Sequence, residues 1–123
     1  MKSLLWRNQL LMGLIGWAVV LTGNAAADIG DVFYVDKNNA SGVENGLSWA
    51  TAATTIEQGI EIARRNFGGE VWVAAGVYDE ERQGGTLRMR AFVDLYGGFS
   101  GTENTRNQRD WEANITVIDG SVA

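Results

Sequence analysis

This chain of 123 residues contains no cysteine, no histidine and no proline. Without cysteine there is no disulfide scaffold, thiol nucleophile, zinc–thiolate site or lipoprotein anchor. Without histidine there is no Ser-His-Asp triad and no imidazole-ligated metal. Positive charge is scarce, with 10 basic residues against 15 acidic ones, so the basic face that a nucleic-acid partner needs is missing. Long apolar runs are missing too. The longest, from Leu10 to Leu21 with small Gly13 and Gly16 inside it, falls short of the ~20 residues that span a bilayer. The length allows one domain at most.

The first residues read as an address. Lys2 and Arg7 precede the apolar run, and Thr22-Gly23-Asn24 leads into Ala25-Ala26-Ala27. This is the order of a secretory signal peptide, because signal peptidase requires small side chains just before the bond it cuts. The expectation is a signal peptide over residues 1–27, cut between Ala27 and Asp28, with Ala25 and Ala27 as the recognised small residues. Residues 28–123 would then carry 8 basic and 15 acidic groups. An acidic, cysteine-free exported chain fits a bacterial periplasm, cell surface or exterior, with the membrane involved only during export.

Within residues 28–123, three short words align without gaps. Val71-Trp72-Val73-Ala74-Ala75-Gly76 is followed 22 residues on by Val93-Asp94-Leu95-Tyr96-Gly97-Gly98, and 22 further on by Ile115-Thr116-Val117-Ile118-Asp119-Gly120. The first and third columns are aliphatic, the second reads as outward, and the sixth is always glycine. In-out-in alternation ended by a turn glycine describes a short strand with a corner. A period of 22 is too short for a βαβ unit and suits one coil of a parallel β-solenoid. Upstream, Asp31 to Asp36 alternates as a strand, and Lys37 to Leu47 is a polar loop. Thr54 to Asn66 reads as a helix, with Ile56, Ile60, Ala63 and Phe67 on one stripe and Ile62 off it. Thr54 with Glu57, or Thr55 with Gln58, can cap its start, and Gly68-Gly69 supplies the left-handed end. A solenoid needs its end covered, and this helix is placed to do so.

Together these words resemble a known group. Val32-Phe33-Tyr34-Val35-Asp36, then Gly46-Leu47-Ser48-Trp49-Ala50-Thr51-Ala52, the helix, and Gly69-Glu70-Val71-Trp72-Val73-Ala74-Ala75-Gly76-Val77-Tyr78 are similar to the N-terminal part of right-handed parallel β-helix proteins. These are the bacterial secreted proteins of the pectin-lyase-like superfamily. Leu95 to Glu103, Arg109-Asp110-Trp111, Asn114 and Ile118-Asp119-Gly120 extend the likeness over nearly all of residues 31–120. The resemblance implies an all-β solenoid: the first coils of a right-handed parallel β-helix behind a short N-terminal capping α-helix, in residues 28–123. It also implies many more coils beyond Ala123, or a partner or oligomer that covers the open end. In the superfamily's lyases and glycosidases the catalytic residues lie on middle coils, so none carries over to this chain.

Three constellations remain. Asp36, Asn38, Asn39, Glu44 and Asn45 offer oxygen ligands in one loop, as Ca²⁺ requires, although turn chemistry explains them equally well. No other cofactor is implied. Arg88 and Arg90 flank Met89 on an expected strand and would point outward together. With Arg82 they could hold a carboxylate or sulfate of a polysaccharide, or simply pair with Asp79, Glu80 and Glu81. Those three consecutive acids do not converge as a hydrolytic pair, because alternate side chains face opposite ways. Trp49, Trp72 and Trp111 are candidate sugar platforms, with Trp72 first because its column is outward. The functional expectation is an exported or surface-exposed, adhesin-like structural segment without a complete active site, so not an enzyme as it stands. It would meet a polysaccharide or another cell-surface component. The alternatives are the N-terminal fragment of a polysaccharide lyase or glycoside hydrolase, and a gene remnant.

Overall fold

The structure, a computed structural model, describes residues 30–80 and 87–120. The signal segment over residues 1–27, its junction at Ala25, Ala27 and Asp28, and Glu81 and Arg82 lie outside the described residues. The chain divides into two units, Met1–Gly30 and Asp31–Ala123, and all secondary structure described here belongs to the second. Among the described residues no helix is long and apolar enough to cross a membrane.

The elements follow in the order β1 (Val32–Val35), α1 (Ile56–Arg65), β2 (Gly69–Ala74), β3 (Gly76–Tyr78), β4 (Val93–Phe99) and β5 (Thr116–Ile118). Two short 3-10 turns, Trp49–Thr51 and Arg106–Gln108, punctuate the loops. Every strand pairing is parallel. One sheet has the order β1-β2-β4, and the other joins β3 to β5. The chain therefore visits the first sheet, then the second, then the first, then the second.

The period-2 alternation sets the core. Phe33, Val35, Val71, Val73 and Val93 are buried on one face of the three-stranded sheet. Helix α1 lies against that face with Ile56, Gly59, Ile60, Ile62 and Ala63 buried. Ile62, off the stripe, is covered too, by the loop at Gly46. The free N–H groups of the helix start are all met. Thr55 Oγ1 accepts from Gln58 N at 3.1 Å, while Glu80 Oε2 accepts from Ile56 N at 3.0 Å and Glu57 N at 3.2 Å. So the cap is the Thr55–Gln58 alternative, reinforced by a carboxylate at the positive end of the helix.

Three details of the sequence reading change. The offset between β2 and β4 is 24, not 22: Val71 pairs with Leu95 and Gly69 with Val93. The third word does not continue the sheet, because β5 pairs with β3, Gly76 opposite Thr116. The reason lies at Gly97-Gly98, where the register slips between Trp72–Tyr96 and Ala74–Phe99. Gly98 has φ 91°, and a Cβ there would stand 2.9 Å from Trp111 Cα. The bulge thus turns the strand and admits the following segment. At the helix end the positive-φ turn includes Gly68 (φ 108°) and Gly69 (φ 142°) but begins one residue earlier, at Phe67 (φ 68°), whose ring is 95% exposed instead of on the buried stripe. Gly68 and Gly69 serve close approach: a Cβ would meet Phe92 O at 2.5 Å and Asp31 O at 2.4 Å, respectively.

The outer edge of β1 is occupied by its own loop. Tyr34 N donates to Gly46 O, Ala53 N to Tyr34 O, and Asp36 N to Ala53 O, all at 2.8–2.9 Å. Among the described residues no strand covers the far edge of β4 or β5.

Candidate functional site

The face of the sheet opposite the core carries a cross-strand row. Tyr34, Trp72 and Tyr96 stand opposite one another, one per strand. Tyr34 meets Trp72 edge-on at 5.7 Å and Trp49 at 4.9 Å, and Trp72 stacks on Phe99 at 4.8 Å. Each indole N–H is satisfied, Trp49 Nε1 by Glu103 O at 2.9 Å and Trp72 Nε1 by Glu70 Oε1 at 2.8 Å. Trp72 is on the outward column but only 3% exposed. The loop after β4 and the turn at Trp49 roof it over, so it is no open platform.

That loop is held by a carboxylate facing its own backbone. Glu103 is 8% exposed. Its oxygens accept from Ser100 N at 2.7 Å, Ser100 Oγ at 3.0 Å, and Gly101 N and Thr102 N at 3.1 Å each. Burial works to raise its pKa, but the backbone and hydroxyl donors outweigh it and hold the carboxyl below its ordinary value.

Beyond the roof the same face opens. Arg106 donates to Glu70 Oε2 at 2.7 Å and lies over the Tyr96 ring at 4.6 Å. Arg109 donates to Gly97 O at 3.0 Å and lies 5.2 Å from both the Tyr96 and Trp111 rings. Trp111, the third candidate tryptophan, is 64% exposed. It lines an open depression of about 320 Å³ with Gln108, Arg109, Asp110 and Glu112. An exposed indole beside amide, carboxylate and guanidinium groups can bind a flat, hydroxyl-rich or partly apolar ligand. The row Tyr34–Trp72–Tyr96 and the arginines over it escaped the sequence reading because the 22-residue alignment set Trp72 beside Asp94. The observed registers, 38 residues from Tyr34 to Trp72 and 24 from Trp72 to Tyr96, place an aromatic at the same outward column of all three strands.

The other candidates are dispersed. Arg88, Met89 and Arg90 are exposed but belong to an irregular segment, not a strand, and Arg90 lies 3.7 Å from Glu61 Oε1. In the oxygen-rich loop, Asp36 Oδ1 accepts from Asn38 N, Asn39 Oδ1 from Ser41 N, Asn45 Oδ1 from Leu47 N, and Glu44 Oε1 from Thr54 Oγ1. The first three are turn-closing bonds, and the fourth ties the loop to the residue before the helix cap. Asn39 Nδ2 points donors, not a ligand oxygen, at Val43 O and Ala52 O. Among the described residues no three Asp or Glu side chains gather as a metal cluster. Asp79 is exposed, while Glu80 faces the helix start, so these neighbours do not converge.

No protein-family model, curated protein or solved structure matches this chain.

Proposed function

We propose that residues 28–123 form the first coils of a right-handed parallel β-helix in an exported, surface-exposed protein, and that their role is adhesin-like binding rather than catalysis. The observation that carries the fold half of this reading is the path of the chain. It alternates between two sheets, β2 to β3 and then β4 to β5, with parallel pairing throughout, as successive coils of a solenoid would. Parallel crossovers are right-handed in nearly all proteins, which supplies the hand. Helix α1 closes the interior beside the first coils. The binding half rests on the exposed Trp111 with Arg109 across its ring, and the ligand class is a polysaccharide or another component of the cell surface.

The test uses the chain purified from cells that export it, applied to an immobilised neutral glucan and a uronate polymer. Retention is expected on at least one of them. Trp111→Ala is expected to weaken it roughly tenfold, the equivalent of about 1.4 kcal/mol. New reducing ends or unsaturated uronide absorbance would replace this reading with that of a polysaccharide-cleaving enzyme. Absence of retention, or retention unchanged in Trp111→Ala, would overturn the binding half. Recovery of the chain only inside the cell with its first 27 residues intact would overturn export.

A further inference from the structure

Two phenylalanines stand where the backbone asks for glycine. Phe67 follows the C-cap of α1 with φ 68°, and Phe92 precedes β4 with φ 65°. The left-handed region crowds Cβ against the backbone, and bulky residues rarely occupy it. Burial does not compensate, because Phe67 is 95% exposed and Phe92 86% exposed. Glycine would make either turn without strain and without apolar surface in water. Two residues that the fold does not require, both strained and both wet, point to a role outside the fold.

The two turns are neighbours, since Gly69 N donates to Phe92 O at 2.9 Å. Phe67 and Phe92 line one open depression of about 450 Å³ with Arg64, Arg90 and Ala91. Half-exposed Met89 precedes them in the same segment. Arg64 and Arg90 share Glu61, at 2.6 Å and 3.7 Å. Arg65 and Arg88 are exposed and form no ion pair among the described residues. Half of the eight basic residues in 28–123 thus lie within four positions of the two rings, on a chain with 15 acidic residues.

We propose that the Phe67–Phe92 patch docks onto an anionic lipid surface, with the rings entering the acyl boundary and the four arginines facing headgroup phosphates. Charge complementarity selects this occupant. A second copy meeting the patch symmetrically would set Arg64 and Arg90 against their own copies. A sugar polymer needs oriented hydrogen-bond partners, and apart from the two arginines the depression is lined by Phe and Ala. A lipid surface supplies both an apolar medium for fully exposed rings and phosphates for guanidinium groups.

Absence of cysteine makes a clean probe. Phe67→Cys, carrying an environment-sensitive dye, is mixed with vesicles of phosphatidylcholine alone or with phosphatidylglycerol added. The dye is expected to brighten and shift to the blue only with phosphatidylglycerol. In sedimentation, Phe67→Gly/Phe92→Gly is expected to bind these vesicles at least tenfold more weakly while melting no lower than the parent. Arg65→Gln/Arg88→Gln is expected to flatten the salt dependence. An unchanged dye signal overturns the proposal whatever the N-terminal segment does. So does equal binding by the glycine variant. Loss of a dimer in the glycine variant, without a vesicle signal, would assign the patch to a second copy instead.

Discussion

Glu103 organises the loop that roofs the aromatic row, and it does so only as an anion. Its four donors all point at lone pairs, so a proton on the carboxyl would remove an acceptor and face a donor with a donor. Because the folded carboxyl sits below its ordinary value, its contribution is fully present above the unfolded value of about 4.3. It is lost as pH falls through the folded value. Glu103→Gln keeps one acceptor oxygen and turns an amide toward N–H groups. We expect it to lower stability by roughly 1–3 kcal/mol at neutral pH and to flatten the acid limb of a plot of melting temperature against pH; an acid limb identical to the parent's would refute the anionic role. The same scale separates what single residues disclose from what they hide. Trp72 and Trp111 are both candidate platforms in the sequence, and nothing in their own identity says which is covered. Coverage depends on Phe99 and on a loop whose path is set by Glu103 and Gly98, residues distant from Trp72 in the chain.

At the scale of elements, α1 was legible because its signals are local. The stripe Ile56, Ile60, Ala63 and the pair Thr55–Gln58 lie within one short segment. Its third N-terminal partner, Glu80, was not legible as such, because only the fold brings residue 80 to the helix start. Strands β1, β2, β4 and β5 were legible in type, but the strand expected at Arg88–Arg90 is irregular, and the register was not legible. The six-residue words match best at 22, in Val71/Val93, Val73/Leu95 and Gly76/Gly98, whereas the paired strands are offset by 24 and, past the bulge at Gly97-Gly98, by 25. Gly59 tests the helix–sheet contact directly. It is buried in mid-helix, and a Cβ there would stand 2.3 Å from Val35 Cγ2 and 3.1 Å from Val71 Cγ1. Helix propensity alone says that Gly59→Ala stabilises by about 1 kcal/mol. Overpacking a core that meets the added carbon on two sides costs about 1–3 kcal/mol. The contact is far too short to be relieved by a small shift, so packing wins. Denaturant unfolding should give a lower midpoint for Gly59→Ala, and a higher one would mean that α1 does not rest on β1 and β2 as described.

At the scale of the molecule, burial is lower on β4 and β5 than on the strands they pair with. On the inward columns Phe33 and Val71 are 2% and 0% exposed, whereas Leu95, opposite Val71 on β4, is only partly buried. In the second sheet Tyr78 is 1% exposed, while Ile118 opposite it is 44% exposed. Ile118 continues the column of a buried residue, yet nothing among the described residues lies beyond it. Ile115 at 61% and the paired Val77 and Val117 at 46% and 40% add apolar surface at the same end. An uncovered parallel edge with apolar neighbours is a template for another strand. The chain is therefore expected to self-associate with rising concentration through the β5 end. Ile118→Lys places a charge on the column at its exposed end, where it can still reach water, so it should spare the fold. Sedimentation velocity over a concentration series is expected to show Ile118→Lys closer to monomer than the parent at equal circular dichroism. If the two chains sediment alike at every concentration, the β5 end is not an assembling edge.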